Sequence, residues 1–303
     1  MNVVVSHWSA NAAVLAVVAA VTAVHLRGLH GLAADARRRG GDTPRGLGRE
    51  VAAFYGGLLV VVLALLSPLA FWSAHYIWVR SLQDVLLANL APAFLVLGAP
   101  WLVLHRGLPF WMPRAYGPGR SPGPDRAPDP GWAARLARLS VLTVIAFNVA
   151  WCGWHLPVLY DAAHAQRMVF ACEVITYLGL GVLFWLQLIG SRPYVPGLAP
   201  LRRVVLVVGT AVVSSGLAMV LVFSSAVLYP GYEGGEHHVL GLIADQQVGG
   251  AALWVIMLVP YSVAMVALLI RWLNTEESAD LAAGLDRLLT PAKPAWPSRP
   301  GLR

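Results

Sequence analysis

Seven runs of mostly apolar residues, at 8–25, 51–71, 82–104, 136–159, 168–189, 204–228 and 247–270, alternate along the chain with shorter polar segments rich in Arg, Gly and Pro. A helix rising ~1.5 Å per residue needs about 20 apolar residues to cross a bilayer, and each run is close to that length. Period-two alternation and Asn-Gly hairpin signals are absent. Lipid offers the backbone no hydrogen bonds, so the runs are expected to be helices and not the strands of a barrel. The pattern predicts an all-α polytopic membrane protein, a seven-transmembrane-helix bundle over 1–273, followed by a cytoplasmic tail over 274–303. That tail opens with the amphipathic spacing Leu281, Leu285, Leu288, Leu289 and then turns Pro-rich, which reads as a short surface helix and a loose end. The stretch from Pro109 to Pro130 reads as a connecting loop. No Lys or Arg precedes the first run, so it is expected to be a retained span and not a secretory signal.

Composition agrees: 58% of the residues are hydrophobic, 12% are charged, and the mean hydropathy is +0.65, outside the range of a soluble domain of this size. Charge then sets orientation. All Lys and Arg residues except Arg80 and Arg167 fall in the first, third and fifth connections or in the tail. The positive-inside rule puts those segments in the cytoplasm, with the amino terminus outside. Topology thus accounts for the net charge of +7, and no nucleic-acid partner is implied.

With that orientation, His7, His75, His155, His164, His237 and His238 lie at or near the outer surface, as do Asp84, Glu173, Asp245 and Gln246. Ionisable residues inside a span cost several kcal/mol unless paired, and Glu173, about one turn inside its run, demands a partner. The others have local explanations. Ser81 with Asp84 fits a capping box, Arg80 with Asp84 an i,i+4 ion pair, and Asp245 an N-cap. His237 and His238 sit in a polar loop running from Gly231 to Gly241, and Trp72, Trp78, Trp151, Trp154, Tyr160 and Tyr229 form an aromatic belt. Cys152 and Cys172 are expected at similar depth on adjacent helices. Cys152 and His155, spaced i,i+3, share a helix face. Thiolate and imidazole donors suit Cu(I), although a Cys in a membrane helix is also an ordinary small apolar residue.

Enzyme motifs such as His-Glu-x-x-His and Gly-x-Ser-x-Gly are missing, so no catalysis is expected, and the single lysine, Lys293, lies in the tail, which excludes a retinal protein. Several segments in order resemble the CtaG-type cytochrome c oxidase assembly factors. They are Ala91-Pro-Ala-Phe-Leu-Val-Leu-Gly-Ala-Pro100, Trp154-His-Leu-Pro-Val-Leu-Tyr-Asp161, Leu183-Phe-Trp185, Leu228-Tyr-Pro230, Asp245-Gln246 with Gly249, and Arg271-Trp-Leu273. The resemblance implies a multi-pass protein of the bacterial plasma (inner) membrane that helps mature a haem-copper oxidase, with oxidase subunits and the lipid bilayer as partners. It also implies a role at the copper centre, a metallochaperone-like function on the outer face. The chain departs from the family where paired histidines are usual: Arg80 and Asp84 replace one pair, and Phe170 and Val174, flanking a retained Glu173, replace another. A substitute copper site would draw on His155, Cys152, Cys172 and His75. Two other readings stand beside this one: a copper-free partner of the oxidase, and a solute or ion transporter using Pro92, Pro260, Asn89, Ser214 and Ser215.

Overall fold

The structure, a computed structural model, describes residues 7–38, 46–108, 130–191, 196, 198–233 and 240–289. All regular elements among these are helical. Helix α1 spans Ala12–Arg38 and α2 Leu47–Leu66, followed by the single turn α3 at Pro68–Trp72. The third run is built of α4 (Ile77–Val85), a π-helical turn (Leu86–Leu90) and α5 (Ala91–Leu97), and then α6 (Trp101–Gly107). Next come α7 (Pro130–Trp154), α8 (Pro157–Ala165), α9 (Arg167–Leu188), α10 (Pro200–Phe223), a 3-10 turn (Pro230–Tyr232) and α11 (Leu242–Leu289). Six helical stretches are long and apolar enough to cross a membrane, and there are seven if the bent pair Leu139–Trp154 and Pro157–Ala165 is one span.

Proline explains most departures from seven straight helices. The fourth run, expected as one helix over 136–159, breaks at His155 and bends by 72° into α8. Pro157 disfavours helical geometry at Leu156, which is extended (φ −66°, ψ 135°). Pro92 has no N–H to donate to a preceding carbonyl, and the ladder widens into the π turn just before it. Gly98, Ala99 and Pro100 end α5, with Ala99 in the left-handed region at φ 40°. Pro260 lies inside α11 without ending it. The tail differs from expectation: α11 runs unbroken from the last span to Leu289, so no separate surface helix begins at 274. Apart from Pro130, which opens α7, the proline-rich loop from Pro109 lies outside the described residues, as do His237 and His238.

The core is contributed mainly by α4 and α5 with the π turn between them, α9, α10 and α11, together with the end of α7. Phe147, Trp151, Tyr177, Phe184, Trp185 and Tyr261 are among its largest buried side chains. The segment Ile77–Leu97 is the most buried of the spans, and α10 and α11 pack along one another. Helix α1 is peripheral and packs on α6 more than on α2. Its contact is backbone to backbone. A Cβ on Gly28 would lie 1.9 Å from the Val103 carbonyl oxygen, and one on Gly107 would lie 1.8 Å from that of Val24. Gly28→Leu is therefore expected to pry α1 from α6 and lower stability by about 1–3 kcal/mol. Gly31→Leu, whose Cβ would meet nothing within 4 Å, serves as the control. Equal thermal midpoints for the two variants in detergent would refute the close contact.

Candidate functional site

The site grows from one end of α4. The i,i+4 spacing of Arg80 and Asp84 sets both on the inward face of that helix, with Arg80 Nε 3.2 Å from Asp84 Oδ1. The same guanidinium pairs through Nη2 with Glu173 of α9, so the partner that Glu173 demanded is Arg80. Aromatic rings flank the arginine. Its central carbon stands 4.6 Å from the Phe170 ring centroid and 5.6 Å from that of Tyr160, which is cation–π range. Arg80, Asp84 and Glu173 are all buried.

His155 joins from the break between α7 and α8. Its Nδ1 is 2.9 Å from the Trp151 carbonyl, and since a carbonyl only accepts, this nitrogen carries the proton. Nε2 then faces Asp84 Oδ2 at 3.9 Å and has no hydrogen-bond partner. As ionised groups, Arg80, Asp84 and Glu173 sum to one net negative charge, which a proton or another cation shared by Asp84 and His155 would cancel. A tyrosine lid closes the cluster. Tyr229 donates to the His155 carbonyl at 3.0 Å and stacks on Tyr160 at 4.0 Å, and Tyr232 donates to the Ser73 carbonyl at 3.1 Å. Three aromatics expected in a membrane-facing belt, Trp151, Tyr160 and Tyr229, are thus buried. The fold-back of α8 and the 3-10 turn cover them.

Asp245 does something the sequence did not suggest. It lies in the first turn of α11, but its carboxylate accepts from the backbone N–H groups of Ile77 at 2.8 Å and Trp78 at 3.1 Å. It caps α4, across the fold, where those donors have no partner within the helix. The capping box expected at Ser81 and Asp84 is not formed, because α4 begins a turn earlier, at Ile77. Gln246 makes a parallel clasp: it accepts from the Leu228 N–H at 2.8 Å and donates to the Ala226 carbonyl at 3.3 Å, tying the segment after α10 to the start of α11.

The residues of the substitute copper site are not gathered in this way. Cys152 is half-buried and Cys172 exposed, both as free thiols. His75 directs Nδ1 to the Phe71 carbonyl at 2.9 Å and leans on the Phe71 ring at 4.5 Å. Among the described residues, no group of three or more His, Cys, Asp or Glu side chains could hold a metal ion. The donors that do approach one another, a carboxylate oxygen and one imidazole nitrogen, are a poor set for Cu(I), which favours sulfur and nitrogen. The residues present therefore do not fit a copper ion at this cluster. The midplane polar residues are engaged in packing: Asn89 accepts from Trp185 Nε1 at 3.1 Å, and Ser214 is buried on α10.

Sequence comparison agrees with the shared segments. Neither curated proteins nor solved structures returned a match. The sequence model described as cytochrome c oxidase caa3 assembly factor matches residues 29–275, a stretch that holds the whole cluster, both clasps and every apolar run but the first, with only the last part of α1 included. The chain belongs to the cytochrome c oxidase caa3 assembly factor family.

Proposed function

We propose that the chain promotes assembly of a haem-copper (cytochrome c) oxidase as a membrane-embedded partner of its subunits, in a bacterial plasma membrane, without catalysing a reaction and without holding copper at the polar cluster. On this reading the amino terminus and the cluster face outward, an orientation that the distribution of arginines supports. One observation carries the copper-free part: the Arg80 guanidinium stands against both Asp84 and Glu173, so a permanent cation of the protein fills the place between the carboxylates. A metal ion entering there would be repelled by it. The cluster then acts as a clasp that joins the third, fourth and fifth spans and shapes the outer end that oxidase subunits meet.

A second reading, copper handling at the same end, draws on the unpartnered Nε2 of His155 and the residual negative charge beside it. The two are separated in a strain deleted for the chain and complemented with variants. Cys152→Ser combined with Cys172→Ser is expected to restore oxidase activity fully, and purified wild-type protein to retain far less than one copper per chain after dialysis. Stoichiometric copper that disappears in His155→Gln, together with loss of oxidase activity, would establish the copper reading and overturn the clasp. Unimpaired oxidase in the deleted strain would remove the assembly role itself.

A further inference from the structure

Helix α1 is held at both ends, by the Gly28 and Gly107 contacts and, just before its start, by Ser9, whose N–H donates to the Leu66 carbonyl at 2.9 Å and whose Oγ donates to the Leu65 carbonyl at 3.2 Å. Beyond the Gly28 and Gly107 contacts it stands away from α9, and two cavities lie between them, of about 1150 and 1080 Å³. They share Val17, Val18, Val61, Ile175 and Leu178 as walls, so they form one cleft along the depth of the spans. The two ends differ. Towards the arginine-rich end the lining is apolar, apart from Thr176 and Gln187. Towards the cluster end it includes Ser73, His75, Arg80, Gln83, His164 and Arg167. No carboxylate lines either cavity.

Two of these polar groups are not used by the protein. Arg80 is engaged by its carboxylates, but Arg167 is exposed and enters no ion pair among the described residues. Gln83 is 1% exposed. Its amide nitrogen donates to the Ala64 carbonyl at 2.7 Å, while Oε1 has no partner. A buried acceptor left unpaired is costly, so a ligand that donates to it is favoured. Any occupant must be apolar over most of its length and carry, at one end, a negative charge for Arg167 and a hydrogen-bond donor for Gln83.

We propose that this cleft binds a single anionic phospholipid from the leaflet at the cluster end. Its phosphate lies at Arg167, a headgroup hydroxyl reaches Gln83, and an acyl chain runs between α1 and α9. A phosphatidylglycerol headgroup has both features, whereas phosphatidylcholine has the phosphate but a fixed positive charge and no donor. A transmembrane helix of a partner could also fill an apolar cleft, but it would leave the charge asymmetry of the two ends without purpose. The site adjoins the clasp, sharing Arg80 as a wall, but it does not depend on the oxidase role.

The test uses the full chain, delipidated in detergent and titrated with phosphatidylglycerol or phosphatidylcholine of identical acyl chains, with bound lipid counted by native mass spectrometry. Wild type is expected to bind one phosphatidylglycerol with a preference of about fivefold, the worth of one basic side chain near an anionic headgroup. Arg167→Gln should erase that preference while leaving weak binding of both lipids. Gly179→Phe should weaken both, since Gly179 lines the apolar part of the cleft and a Cβ there meets nothing within 4 Å, so the ring projects into the cleft without striking the protein. Equal affinity of wild type for the two lipids, a preference surviving in Arg167→Gln, or undiminished binding in Gly179→Phe with an unchanged thermal midpoint would each overturn the proposal. So would a co-purifying polypeptide that crosslinks to position 179 in place of lipid.

Discussion

Arg80→Met is expected to destabilise the folded protein by about 3–5 kcal/mol, the cost of leaving buried charge without its counter-ion. The side chain keeps its bulk between Phe170 and Tyr160, so packing alone does not produce the loss. What is lost is the only cation against Asp84 and Glu173 among the described residues, and both carboxylates are buried. Neutralising them should reverse the effect: Arg80→Met with Asp84→Asn and Glu173→Gln is expected to recover most of the stability, because replacing a whole buried ion cluster by neutral groups is often close to neutral. The measurement is the free energy of unfolding in detergent micelles, followed for the wild type, the single variant and the triple variant. A single variant costing less than about 1 kcal/mol, or a triple variant no better than the single, would show that the cluster is not held by charge compensation. The same variants separate structure from recognition. If the clasp shapes the surface that oxidase subunits meet, the triple variant should restore assembly along with stability.

The second large effect is expected at Asp245. Asp245→Ala removes the acceptor from the Ile77 and Trp78 amides, and leaving two shielded donors unpaired costs about 2–4 kcal/mol. The negative charge is also lost from the positive end of α4. Asp245→Asn retains one carbonyl oxygen and should fall between the two. Amide hydrogen exchange makes the assignment local, because the Ile77 and Trp78 amides should lose protection in Asp245→Ala before the rest of α4 does. Protection that persists at those two amides would mean that another group caps the helix. Gln246 is expected to matter less, since its partners Leu228 and Ala226 lie in a connecting segment near the surface.

Much of this site could be read along the chain, and what could not was of one kind. The Arg80 and Asp84 pair was legible because i,i+4 neighbours meet on any helix. The need of Glu173 for a partner was equally legible from its depth, but the identity of that partner was not, since it depends on which face of α4 turns to α9. Asp245 shows the same division. Its residue type and position announced a cap, yet the amides it satisfies belong to a helix 168 positions earlier. Trp151, Tyr160 and Tyr229 have the composition of an interfacial belt, and the bend at His155 turned them inward instead, with Tyr160 and Tyr229 forming part of the lid. That bend was signalled by Pro157 and overridden by the continuity of the apolar run. Length alone therefore overestimated the fourth helix.

Read along the chain alone, the residues indicate an all-helical protein with apolar stretches of membrane-crossing length, basic residues gathered in alternate connections, and ionisable residues near the ends of the apolar runs. These follow from local rules: a span must satisfy its own backbone and exclude charge, whatever its neighbours are. The tertiary structure decided which of those polar residues meet. It brought Arg80 between two carboxylates from different helices and turned Asp245 onto the start of α4. The reason is physical: partner choice between helices rests on rotation and close packing, set at contacts such as Gly181 against the Ala88 carbonyl, where a Cβ would stand 2.4 Å away. No run of residues along a single span encodes those quantities.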